Sequence, residues 1–164
     1  MNEIENVTDE RETASVMLKP KGMEHELEIV PSLFDCCAIN GLRIVWHSHF
    51  IFTPEEAFEF YKGHEGKWYR LPMAEQIAGT VRHGFEVEGV KAISILRKWV
   101  GPTDPAIAKI EDPDSQRAIH GEGNMKELAE TKEVVDNAIH VGSSVGEAIQ
   151  EIALMKTATE RGRP

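Results

Sequence analysis

A histidine stands at position 140 inside Asn137-Ala138-Ile139-His140-Val141-Gly142-Ser143-Ser144, a short apolar run that gives way to small polar residues. The run reads as a strand ending at a helix N-cap. The helix would run from Ser144 to Leu154 and set Val145, Ala148, Ile149 and Ile152 on one face. Glu151 lies about two turns along that helix and can lean back over the strand end. A histidine at a strand-to-helix turn, its tautomer fixed by a carboxylate, is a poised nucleophile or general base. One histidine in an apolar run is also a common satisfied core residue, so chemistry requires other groups to converge on it.

Candidates for those groups are scattered along the chain. Lys19 precedes Pro20-Lys21-Gly22, turn punctuation that places it where a strand ends. With Arg70, Arg97, Lys98 and Arg117 it could form a basic pocket for a phosphorylated small molecule; the bland reading is solvated surface charge. Trp68 and Tyr69 sit near the turn of a helical hairpin, where they either meet a flat ring or seal the hairpin against the domain. His47 and His49 share one face of a strand and invite a metal, but no third ligand lies nearby in sequence, which favours an ordinary sheet face.

Composition bounds the function. Among 164 residues, 28 acidic side chains outweigh 18 lysines and arginines for a formal charge of −10, which argues against coating nucleic acid or an anionic membrane. The only cysteines, Cys36 and Cys37, are adjacent and offer neither a staple nor a zinc spacing, so a reducing cytoplasm is expected. The polar, acidic N-terminus is unlike a targeting peptide, and no apolar run approaches the length of a membrane span.

The elements that must position these residues follow in order. Residues 1–13 are expected to be a flexible segment and 157–164 a flexible tail, leaving a domain over 14–156. A strand over 14–18 precedes a helical spacing over 24–39, which Pro31 should kink or restart and Asn40-Gly41 should end. Residues 42–52 read as a long strand. Thr53-Pro54-Glu55-Glu56 starts a helix, Gly63 to Gly66 breaks it, and a second helix follows over 68–78. A third strand over 80–88 ends at Gly89, a helix over 90–100 ends at Gly101-Pro102, and a long polar loop over 106–136 carries one short helix over 125–132. The order predicts an α+β, ferredoxin-like βαββαβ fold: a four-stranded antiparallel sheet with helices over one face and a helical-hairpin insertion.

Motifs in the same order carry a resemblance. They are Leu18-Lys19-Pro20-Lys21-Gly22; Tyr61 with His64-Glu65-Gly66-Lys67-Trp68-Tyr69; Arg97 with Gly101-Pro102-Thr103-Asp104-Pro105; Ser115-Gln116-Arg117-Ala118; and Asn137-Ala138-Ile139-His140-Val141-Gly142-Ser143-Ser144 with Glu151. From Val16 to about Met155 the chain resembles the nucleoside diphosphate kinases. The resemblance implies ping-pong transfer of a γ-phosphate through phosphohistidine at His140, with Glu151 accepting a hydrogen bond from the other ring nitrogen. Lys19, Arg97 and Arg117 would neutralise phosphate charge and Thr103 would donate a hydroxyl. Asn137 would bind on the sugar side, Tyr61 would orient His140 and Lys19, and Tyr69 would stack on the base. Mg2+ would arrive on the phosphates of the nucleoside tri- and diphosphates, in a homo-oligomer.

Three positions depart from the family pattern. Lys21 and Ser143 replace aspartates, and Gly142 replaces a serine whose hydroxyl is expected to touch Glu151 or the phosphate. The alternative they raise is a catalytically weakened nucleotide-binding or scaffold module on the same fold. Ala118-Ile119-His120-Gly121 is also a second way to align the arginine loop, with His120 in place of Arg117.

Overall fold

Ala14 through Leu18 are all buried, although successive side chains of a strand point to opposite faces. The sheet is therefore covered on both sides, not on the one side expected. The computed structural model describes residues 11–163. Its strands are β1 (Arg11–Leu18), β2 (Arg43–Ile51), β3 (Val81–Val90) and β4 (Ile139–Val141), in the order β2-β3-β1-β4. Every neighbouring pair is antiparallel, the arrangement the βαββαβ order requires.

One face carries α2 (Glu26–Asn40) and α5 (Ala92–Val100). Ile29, Leu33 and Cys37 of α2 and Ala92, Ile93 and Leu96 of α5 close over Val16, Leu18, Phe85 and Val87. The other face carries α3 (Pro54–Phe60), α4 (Arg70–Ile77) and α9 (Val145–Arg161). There Ala57, Phe60, Ala74, Ala148, Ile152 and Met155 pack on Met17, Phe50 and Phe52. Burial of this kind contributes roughly 25 cal/mol per Å² of apolar surface removed from water, so these two layers hold the sheet in place.

Several boundaries differ from the sequence reading for physical reasons. Arg11 to Thr13 pair with β3 rather than hanging free, and residues 1–10 lie outside the described residues. Pro31 sits inside α2 without ending it, on the exposed side. Within the expected tail, residues 157–161 instead form the last turn of α9, with Ala158 and Thr159 buried. The helix also turns differently than its apolar residues suggested. Val145 and Ile149 face outward, while Glu151 and Met155 face in.

The polar stretch before β4 holds three short helices, α6 (Pro105–Glu111), α7 (Gln116–His120) and α8 (Met125–Glu130). Each starts at a capping side chain, Asp104, Ser115 and Asn124 respectively, that accepts hydrogen bonds from the first turn. No helix among the described residues is long and apolar enough to cross a membrane.

Candidate active site

Lys19 directly follows β1 and is the N-cap of α1 (Pro20–Glu24), whose first residue is the proline. Its backbone N–H donates to the Ala138 carbonyl at 2.8 Å, tying the end of β1 to the entrance of β4. Gly22 allows this crossing: a Cβ there would stand 2.1 Å from the Ala138 carbonyl oxygen. Ala138 itself is held at a φ of 69°, a left-handed value that costs an alanine free energy. Asp136 supports it by accepting from the Ala138 and Lys21 N–H groups at 3.0 and 2.8 Å. The Lys-Pro-x-Gly segment and the histidine strand are thus one assembly.

His140 opposes Met17 across the β1–β4 ladder and lies on the α9 side of the sheet. Its Nε2 is 2.8 Å from Oε2 of Glu151, whose side chain is 4% exposed. A carboxylate accepts, so Nε2 carries the proton and Nδ1 keeps the lone pair. Phe60 and Tyr61 meet the imidazole edge to face, with centroids 4.9 and 5.9 Å away. The ring is fixed on both sides.

The other oxygen of Glu151 accepts a hydrogen bond from Ser15 Oγ at 2.6 Å. Gly142 lies directly beside this contact: a Cβ at 142 would stand 2.6 Å from Ser15 Oγ and 2.7 Å from Glu151 Oε1. The hydroxyl missing from position 142 is therefore supplied by position 15, and the two side chains compete for one space. Sequence reading missed Ser15 because the replacement lies on another strand.

A cleft of about 720 Å³ opens above His140. Lys19, Tyr61, Tyr69, Arg97, Thr103, Arg117, Asn137, His140 and Glu151 all line it, so the residues implied by the resemblance converge there, whereas Arg70, bound to the Phe58 carbonyl, and the exposed Lys98 do not. Lys19 Nζ donates to Asn137 Oδ1 at 3.2 Å, and Asn137 Nδ2 donates to the Thr103 carbonyl at 3.1 Å. Burial, with Arg117 and Arg82 adding to it against the pull of Asp136, brings the Lys19 ammonium down to a pKa of about 8. Arg82, buried on β3, is a cation near the site that its sequence gave no reason to single out.

Three of these residues show further detail. Arg117 is buried and gives Nε and both terminal nitrogens to the Ile139 and Gly101 carbonyls, so it braces β4 as well as lending charge. His120 faces the His25 ring and does not line the cleft, whereas Arg117 does. The Tyr61 hydroxyl is buried with no hydrogen-bond partner among the described residues, so the contact of Tyr61 with His140 is made by its ring.

The carboxylates lining the cleft are Glu133, Glu147 and Glu151. Glu151 is committed to His140 and Ser15, and Glu147 accepts from the backbone N–H and hydroxyl of Ser143. That donor set makes no cage for a cation. It suits a Mg2+ ion that keeps phosphate and water oxygens as its main ligands.

The site is thus a carboxylate-held histidine on a ferredoxin-like sheet, sharing one cleft with the buried cations Lys19 and Arg117. The comparisons with known proteins agree. The family model for nucleoside diphosphate kinase matches residues 12–160, and the chain belongs to that family. It is 30% identical over 149 residues to the nucleoside diphosphate kinase of Aquifex aeolicus, covering 91% of this chain and 96% of that one. A crystal structure of the Aquifex aeolicus enzyme superposes with a TM-score of 0.74 at 29% identity, over 88% of this chain and 94% of that chain. A thioredoxin domain-containing protein 3 homolog of Ciona intestinalis is 31% identical over 118 residues, or 68% of this chain. The match spans only 16% of that longer protein.

Proposed function

We propose that this chain is an active nucleoside diphosphate kinase working through a phosphohistidine at His140. The observation that carries the reading is the Ser15–Glu151–His140 relay opening onto a cleft with Lys19 and Arg117. In the first half-reaction Nδ1 attacks the γ-phosphorus of a nucleoside triphosphate. The bond from that phosphorus to the β-phosphate oxygen breaks, and a nucleoside diphosphate departs. In the second, a terminal phosphate oxygen of another diphosphate attacks the same phosphorus and the P–N bond breaks. Glu151 accepts the Nε2–H hydrogen bond, favouring the ring charge that builds as Nδ1 bonds to phosphorus.

The protein has little covalent work beyond that nitrogen. Lys19 and Arg97 offset the phosphate charge, with Arg117 behind them. Mg2+ carried by the nucleotide supplies further charge neutralisation. Asn137 and Thr103 lie within one hydrogen-bonded unit with Lys19, suited to meeting sugar and phosphate oxygens. Tyr69, packed edge-on against Trp68 and His64, offers a ring to the base. Stacking accepts any base because each has a flat face.

The Ser15 hydroxyl favours activity over the weakened-module alternative, since it restores the contact whose loss at Gly142 raised that alternative. The test is transfer from ATP to GDP by the purified protein. Robust GTP formation that disappears in His140→Ala is expected. Nucleotide binding without transfer in the unmodified chain would overturn the reading.

A further inference from the structure

His47 and His49 acquire in the fold the third partner they lack in sequence. In the β2–β3 ladder His49 stands opposite His83, and His47 opposite Phe85. Glu26, the first residue of α2, closes over this row. Its Oε1 is 2.7 Å from His49 Nε2 and 3.2 Å from His83 Nδ1. All three ligand atoms lie within 4.8 Å of one another, on three separate elements. We propose that Glu26, His49 and His83 form a binding site for a borderline divalent cation of the Zn2+ class, with water completing its coordination.

The surroundings favour a built site over a chance cluster. His83 is 5% exposed in its side chain, and its ring is clamped between Phe85 at 4.2 Å and His49 at 4.1 Å. Its second nitrogen, Nε2, lies 3.0 Å from His47 Nδ1. With Nδ1 on a cation, His83 keeps its proton on Nε2 and donates it to His47, the outer contact that fixes a metal-binding tautomer. His47 is itself held, stacked on Phe85 and met edge-on by Phe34. Two imidazoles and one carboxylate suit Zn2+ and similar ions over Mg2+ or Ca2+, which prefer all-oxygen shells. The half-exposed His49 leaves an open side through which the ion and its water enter.

This site is separate from the phosphotransfer cleft. His83 pairs with Leu18 and His140 with Met17, successive residues of β1 that point to opposite faces of the sheet. The ion would clip the start of α2 to β2 and β3, a structural role. It does not depend on the kinase reading.

The experiment is a Zn2+ titration of the full chain after chelator treatment and dialysis, with metal content and melting temperature as readouts. The expected result is one tightly held equivalent and a melting temperature that rises with Zn2+. Glu26→Gln and His49→Ala, both at accessible side chains, should each weaken binding by at least roughly 10–100-fold, and His47→Gln by about that range. Nucleotide transfer should be unchanged in Glu26→Gln. A control removes the looser group at His25, Glu28 and His120, where the contacts to Glu28 are 4.0 and 3.9 Å. The His25→Ala/His120→Ala variant should bind as the unmodified chain does. Absence of a stoichiometric Zn2+, retention of it in Glu26→Gln/His49→Ala, or its loss in the control overturns the assignment.

Discussion

Ser15 and Glu151 are 136 residues apart in sequence and share a 2.6 Å hydrogen bond beneath the histidine. Because a side chain at position 142 would occupy the same space, the two positions form an exchange pair. Ser15→Ala should slow transfer roughly tenfold, since an unsatisfied buried carboxylate oxygen costs about 1–3 kcal/mol. Gly142→Ser alone should also impair the protein by crowding Ser15. The Ser15→Ala/Gly142→Ser double variant should recover most of the loss, measured as kcat and melting temperature in a double-mutant cycle. Simple additivity would show that the two hydroxyl positions are not equivalent.

Lys19 makes the site sensitive to alkali. Its folded pKa of about 8 lies below the ordinary 10.5, so above pH 8 the free protein loses the ammonium proposed to receive phosphate. Affinity for a nucleoside diphosphate should fall by up to about tenfold per pH unit there. Stability should move the other way. Between the two pKa values the unfolded chain binds the extra proton, so stability rises with pH across that window, and the cost of burying the charge is present in full below it. Lys19→Met should abolish both slopes, as read by calorimetric Kd values and denaturant melts over the alkaline range.

The Tyr61 hydroxyl is buried and unpartnered, and burial, assisted by Glu151 and Asp136, raises its pKa well above the usual phenol range. It therefore stays protonated. Tyr61→Phe should leave the free protein as stable as before, or more so by about 1 kcal/mol. Because the ring that meets His140 is retained, kcat and KM should stay close to those of the unmodified chain. A large loss of kcat in Tyr61→Phe would show that the oxygen, not the ring, serves the site.

Much of this site could be read from sequence because its residues lie in short, ordered motifs. Asn137 to Ser144 announced a strand and a capped helix, and Lys19-Pro20 announced a strand end. The central strand and the α5 face, with Ala92, Ile93 and Leu96 buried, followed from spacing alone. What escaped was whatever depends on long-range register. Ser15 looks like any small residue until β1 is paired with β4, and Glu26 joins His49 and His83 only when α2 closes over the sheet. The same limit explains α9. Val145 and Ile149 suited an apolar stripe, but the demand that Glu151 meet His140 turned the helix and left Ile149 58% exposed. The short helices α6 and α7 were signalled by Asp104 and Ser115, yet proline and glycine nearby suggested loop.

The most direct test is to mix the protein with ATP labelled on the γ-phosphate, quench, and locate the label by peptide mapping and phosphorus NMR. The account predicts an acid-labile, base-stable phosphoryl group on Nδ1 of His140 that is discharged by added nucleoside diphosphate and absent from His140→Ala. Label on Nε2, on another residue, or nowhere while transfer proceeds would contradict it.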